Sequence, residues 1–166
     1  ALINKICSMK KIITVALLII STKYSFAQSQ PQSTYHQAIG IKFPGGFSVT
    51  YKQFVTASNN LEAQATIWNK GFRLSGLYEF NFYSFDKVDG LAWFLGPGVH
   101  LGFWKDQYQK DYDSKADFGI DGIIGLDYKF RDVPVNVSID WQPAVTLVGS
   151  AGFTPSYGGI GVRYTF

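Results

Sequence analysis

Gly158-Gly159-Ile160-Gly161-Val162-Arg163-Tyr164-Thr165-Phe166, the last nine residues of the sequence, decide how the rest is read. Taken two at a time, Ile160, Val162, Tyr164 and Phe166 point one way. Gly159, Gly161, Arg163 and Thr165 point the other, which is the signature of a two-faced β-strand. One face is apolar and aromatic; the other is small and polar with a single arginine. A fold built on this strand needs partners that repeat the same division.

The preceding chain supplies them. Ile39, Ile41 and Phe43 oppose Ala38, Gly40 and Lys42 in a strand predicted over 36–43, which ends at the turn Pro44-Gly45-Gly46. Phe47, Val49 and Tyr51 alternate with Ser48, Thr50 and Lys52, and Leu61, Ala63, Ala65 and Ile67 with Glu62, Gln64 and Thr66. Asn69-Lys70-Gly71 reads as a tight hairpin. Phe72, Leu74, Gly76, Tyr78, Phe80 and Phe82 then oppose Arg73, Ser75, Leu77, Glu79 and Asn81. Trp93, Leu95, Val99, Leu101 and Phe103 oppose Gly96, Gly98, His100 and Gly102, and Pro97 predicts a local bulge in that run. Phe118 to Phe130 and Val135 to Leu147 repeat the pattern. The segments 105–116 and 149–157, with little periodicity, are expected to be long loops on one side of the fold.

The count is about eight strands, many near the 9 to 11 residues that cross a bilayer. The expected fold is all-β: a closed antiparallel up-and-down transmembrane β-barrel over residues 35–166. The polar face is made of Gly, Ala, Ser, Thr and Asn with isolated charges, unlike the Lys- and Glu-rich exterior of a soluble barrel. Small residues suit a crowded interior. The apolar face is therefore expected to meet lipid, with Phe43, Phe47, Phe72, Phe82, Trp93, Phe103, Phe130, Trp141 and Phe166 as interfacial aromatics near strand ends. Lys42, Lys52, Glu62, Arg73, Glu79, Asp121, Asp127, Lys129, Asp140 and Arg163 are expected inside, five of each sign, as a paired network that plugs the lumen.

The front of the chain fits export. Met9-Lys10-Lys11, the apolar run Ile12 to Ile20 and Ser25-Phe26-Ala27 form a signal peptide over 9–27, with cleavage expected before Gln28. Residues 1–8 precede the only Met and read as upstream, non-native sequence; residues 28–34 read as a disordered lead-in. The leader region holds Lys5, Lys10, Lys11 and Lys23, so the remainder carries eleven basic against twelve acidic residues. The formal charge of +3 thus belongs to the leader, and nucleic acid is not an expected partner. Cys7 also lies ahead of Met9, which leaves no cysteine for disulfides in the expected exported part and argues against a lipoprotein anchor at the cleavage site.

Sites for chemistry are sparse. His36 and His100 have no zinc-ligand spacing, and there is no Gly-x-Ser-x-Gly elbow or phosphate-binding glycine loop. The Asp-rich stretch 106–117 lacks the order of an EF-hand loop. No catalytic residue, metal or cofactor is expected. His100 with Ser75 or Glu79 is the one constellation that an enzyme of the lumen would use.

Several stretches carry a family likeness: 91–100, 119–130, Val133 to Pro143 and the final Arg163-Tyr164-Thr165-Phe166. They resemble small outer-membrane β-barrel proteins of the Bacteroidetes type, similar in architecture to the transmembrane domain of outer membrane protein A. Tyr164 and Phe166 resemble the terminal signal read by the barrel insertion machinery of Gram-negative outer membranes. The resemblance implies outer-membrane lipids and that machinery as partners, and a structural or surface-interaction role through the outer loops 105–116 and 149–157. A lipid A-modifying enzyme using His100, or a narrow channel, are the alternatives. It implies no catalytic residues.

Overall fold

The structure is a computed structural model, and it describes residues 33–83, 88–104, 116–149 and 151–166. Eight strands follow one another as antiparallel neighbours: β1 (Gln37–Pro44), β2 (Phe47–Phe54), β3 (Asn59–Trp68), β4 (Gly71–Phe82), β5 (Leu91–Trp104), β6 (Ala116–Lys129), β7 (Val135–Val148) and β8 (Gly152–Thr165). β8 returns to β1 and closes the sheet into a barrel. The seam runs from Ala38↔Thr165 to Pro44↔Gly159, and Gln37 and Phe166 exchange two backbone hydrogen bonds of 2.9 Å. Closure joins the two edge strands to each other, and the half of β8 before Gly159 pairs with β7 alone.

The expected all-β, up-and-down barrel is thus the observed architecture. The leader 9–27, the stretch 1–8 and most of the lead-in 28–34 lie outside the described residues.

Two local expectations are overturned. Pro97 makes no bulge: β4 and β5 hold one register on both sides of it, Leu77↔Gly98 and Phe80↔Leu95, and β5 and β6 pair straight through Pro97↔Gly122. The ring sits on the exposed outer face, so the strand forgoes a ladder bond without inserting a residue. The register shifts elsewhere. One shift falls between Gln142 and Ala144 of β7 against β8, and another between Phe118 and Gly119 of β6 against β7. Pro143 lies inside the first, and Pro155 is on the partner strand, where Trp141 Nε1 donates to its carbonyl at 2.7 Å. The second correction concerns segment 149–157. It is not a long loop, because Gly152 to Tyr157 already belong to β8, paired through Thr146↔Gly152, Val145↔Phe153 and Ala144↔Thr154. Residues 105–115 lie outside the described residues.

The barrel's polarity is inverted relative to a soluble fold. Among the described residues, twenty-two polar or charged residues are buried against seven apolar ones. The only apolar cluster inside, among those residues, is Leu77, Phe94 and Ile123. Ile39, Ile41, Val49, Leu61, Ile67, Leu74, Ile120, Ile124 and Ile139 face outward, Ile139 with 56 % of its surface exposed. Alternation along each strand, not a folding core, accounts for this division.

Candidate functional site

Among the described residues, the lumen is where the strands bring chemistry-bearing side chains together. It is layered between two ends. The terminal end holds Gln37 and Phe166; the turn end is where β1–β2, β3–β4, β5–β6 and β7–β8 connect.

Near the terminal end, Lys52 of β2 is the hub. Its Nζ lies 2.9 Å from Glu79, 3.3 Å from Glu62 and 3.6 Å from Asp127, and 4.7 Å from the Phe94 ring centroid. Arg163 of β8 reaches across the barrel to Glu62, with Nη2 donating at 2.9 and 3.1 Å to its two oxygens. The rest of the guanidinium donates to Ser138 Oγ at 2.7 Å and Thr50 Oγ1 at 3.1 Å. Asp127 accepts from Asn136 at 2.6 Å and from the Tyr35 hydroxyl at 3.3 Å. Every one of these charges is withdrawn from solvent, and only because β8 closes on β1 does Arg163 reach β3. Charges so placed are tolerable when paired and costly when not.

Toward the turn end a second set forms an arc. Lys42 pairs with Asp140 at 2.6 Å and donates to Gln142 at 3.4 Å; Gln142 in turn donates to Asp121 at 3.3 Å. Asp121 Oδ1 accepts from Arg73 Nη2 at 2.6 Å and lies 2.8 Å from His100 Nδ1. A chamber of about 10 Å³ between Lys42, Arg73, Gln142 and Tyr157 is room for about one water.

The turn-end mouth is capped by rings. Trp68 and Trp104 meet edge to face at 5.7 Å, Tyr157 lies 6.3 Å from Trp68, and the Arg73 guanidinium stacks 3.8 Å over the Tyr157 ring. Gly71 pairs with Trp68 on one side and with Trp104 on the other. A Cβ there would collide with the Phe103 carbonyl oxygen. At Gly102 the missing side chain leaves room for the Asp117 carboxylate, which accepts from Trp104 Nε1 at 2.8 Å.

Nine of the ten predicted lumen charges fall in the two clusters: Lys42, Lys52, Glu62, Arg73, Glu79, Asp121, Asp127, Asp140 and Arg163. Lys129 does not. It ends β6 at the rim, where its ammonium donates to the carbonyls of Phe130 and Val133 in the following turn, the latter at 2.9 Å. The predicted balance of five against five therefore becomes five acids against four bases. His100 is buried and bound to Asp121; Ser75 stands opposite it across the β4–β5 ladder, and its Oγ accepts from Arg73 Nε at 3.2 Å. His100 Nε2 has Thr146 Oγ1 at 3.4 Å, and Glu79 belongs to the other cluster. With Lys42, Arg73 and Asp140, His100 and Asp121 form an arc of ion pairs.

Of the aromatics, Phe82 stacks on Trp93 at 4.2 Å and Tyr164 on Phe166 at 6.2 Å near the terminal end. Phe130 packs on Tyr128 there at 4.8 Å. Phe72 stacks on Phe103 at 6.3 Å near the turn end, where Phe43 and Phe47 also lie exposed. Trp141 departs from the expectation: it sits midway along β7, not near a strand end, and leans on the Pro155 carbonyl. The sequence reading misses the ring cap of Trp68, Trp104 and Tyr157. Their parity with Glu62, His100 and Arg163 is the signal that marks them as inward.

No known family, curated protein or solved structure matches this chain.

Proposed function

We propose that this chain is a small barrel of a Gram-negative outer membrane, similar in architecture to the transmembrane domain of outer membrane protein A. Its role is structural or surface-interacting, exerted from the turn end, over a lumen plugged by the two charge clusters. The leader 9–27 directs export, Tyr164 and Phe166 serve the insertion machinery, and the outward side chains meet membrane lipid.

The observation that carries this reading is the inverted polarity. An exposed band of Ile, Val, Leu and Phe around a buried polar interior would aggregate in water and is stable in hydrocarbon. Paired backbone on every strand meets the other demand of a bilayer. The side-chain filling of the lumen favours a plug over a channel, since eight strands leave little room beyond the side chains.

Migration in detergent gels tests the reading. The folded chain is expected to run at a different apparent mass from the boiled chain, and to partition with the membrane fraction of expressing cells. A chain that stays monomeric and folded without detergent or lipid would refute it.

A further inference from the structure

One outward position is emptier than its strand requires. Gly76 lies midway along β4 on the outer face, paired with Ala63 of β3 and Val99 of β5. A glycine inside a strand weakens it, and commonly marks a bulge, a bend, or a close approach by another backbone or a ligand. The register is unbroken on both sides of Gly76, and its φ is not positive. Among the described residues, and beyond its two chain neighbours, no atom lies within 4 Å of where its Cβ would stand. A Cβ at Gly40, Gly96 or Gly119 would instead strike the carbonyl of a neighbouring strand. Bulge and backbone approach are both absent at Gly76, and what the glycine leaves is open room on the outer wall.

That room is the floor of a groove. Ala63 and Gly76 form its base, and Tyr51 and Val99 bound it along the same cross-strand row. Leu61 and Tyr78 wall it toward the terminal end, where it measures about 600 Å³. A second stretch of about 440 Å³ shares that row and continues between Ala65, Leu74 and Leu101 toward the turn end. Volumes of about 300–1,000 Å³ suit small molecules. The groove is apolar along its length and polar at its terminal end. There Tyr51 Oη donates to Gln53 Oε1 at 3.3 Å, and Asn59 Nδ2 donates to Tyr78 Oη at 3.1 Å. Gln53 keeps its amide N–H groups, and Tyr78 its hydroxyl proton, as donors beside the groove. Among the described residues, no Lys or Arg lines either stretch.

We propose that this groove binds one glycerophospholipid with a zwitterionic head, an acyl chain lying along Gly76 and an ester carbonyl at Tyr78 and Gln53. The proposal deepens the outer-membrane reading and rests on it. An apolar trough that ends in neutral donors matches the chain and ester of such a lipid. The phosphates of lipid A call for cations, which the groove lacks. A second copy of the chain fits worse: a two-fold interface sets the patch against itself, and two facing hollows leave each other unfilled.

Native mass spectrometry of the refolded full chain, released from detergent micelles doped with phosphatidylethanolamine, tests the site. One retained lipid per barrel is expected. Gly76→Leu and Ala63→Leu, which fill the floor, should each cut the retained fraction about tenfold. Tyr78→Phe keeps the wall intact, removes a donor and should lower retention several-fold. Val145→Leu, an outward change on β7, should retain lipid as the wild type does. Unchanged retention in both leucine variants, an equal loss in Val145→Leu, preferential retention of added lipid A, or a dimer in place of the lipid adduct would each overturn the proposal. Heat-modifiable migration of the same samples keeps two failures apart. A chain that shows it and retains no lipid overturns the groove alone, whereas a chain that folds without detergent removes the outer-membrane reading and the groove with it.

Discussion

Arg163 shows how much a single side chain carries here. It lies on β8, yet its partners Glu62, Thr50, Ser138 and Asn136 come from β3, β2 and β7. Truncating one member of a buried ion pair leaves the other charge uncompensated, at a cost of about 3–5 kcal/mol. Arg163→Met is thus expected to lower the free energy of unfolding by that amount in urea titrations from micelles. Adding Glu62→Gln to it should recover part of the loss, since the stranded carboxylate is then gone. A loss below about 1 kcal/mol in the single variant would mean that water reaches Glu62 and that the cluster is not dry.

Among elements, the β3–β4–β5 ribbon is tied by Gly71, which sits between Trp68 and Trp104. Gly71→Ala would press a methyl onto the Phe103 carbonyl and force the backbone to move. A cost of about 1–3 kcal/mol is expected from such overpacking, with loss of the coupled near-ultraviolet dichroism of the two indoles. Unchanged dichroism would show that the ring contact does not depend on the backbone at Gly71. The strands themselves are legible because two-residue alternation is strong wherever one face is apolar, as in Phe72 to Phe82. The signal fails at Gly152 to Tyr157, where Pro155 and Ser156 blur the alternation and only pairing with β7 makes a strand. It fails also at the prolines. Pro97 reads as a bulge, yet both of its registers run through it, while a shift falls at Pro143 between Gln142 and Ala144. Nine of the charges that parity sends inward are buried, whereas Lys129 lies at the rim, where a long side chain at a strand end can turn.

At the scale of the whole molecule, three consecutive groups of side chains cross the lumen: the Lys52–Arg163 cluster, the Lys42–Arg73 arc and the Trp68–Trp104–Tyr157 rings. Inserted into planar bilayers, the chain is expected to be electrically silent at modest voltage. Sustained ohmic steps would show that these groups leave a through path, and would move the reading toward a narrow channel.

The seam between β1 and β8 has a bearing on assembly. Its residue pairs, such as Ala38↔Thr165, join positions at opposite ends of the described chain. The entropic cost of such a loop rises only slowly with length, but the contact cannot begin to form until β8 has emerged. Until then β1 and β7 both present bare edges, the state most open to wrong pairing between chains. Closure of this barrel is in that sense a single late event that removes both edges together.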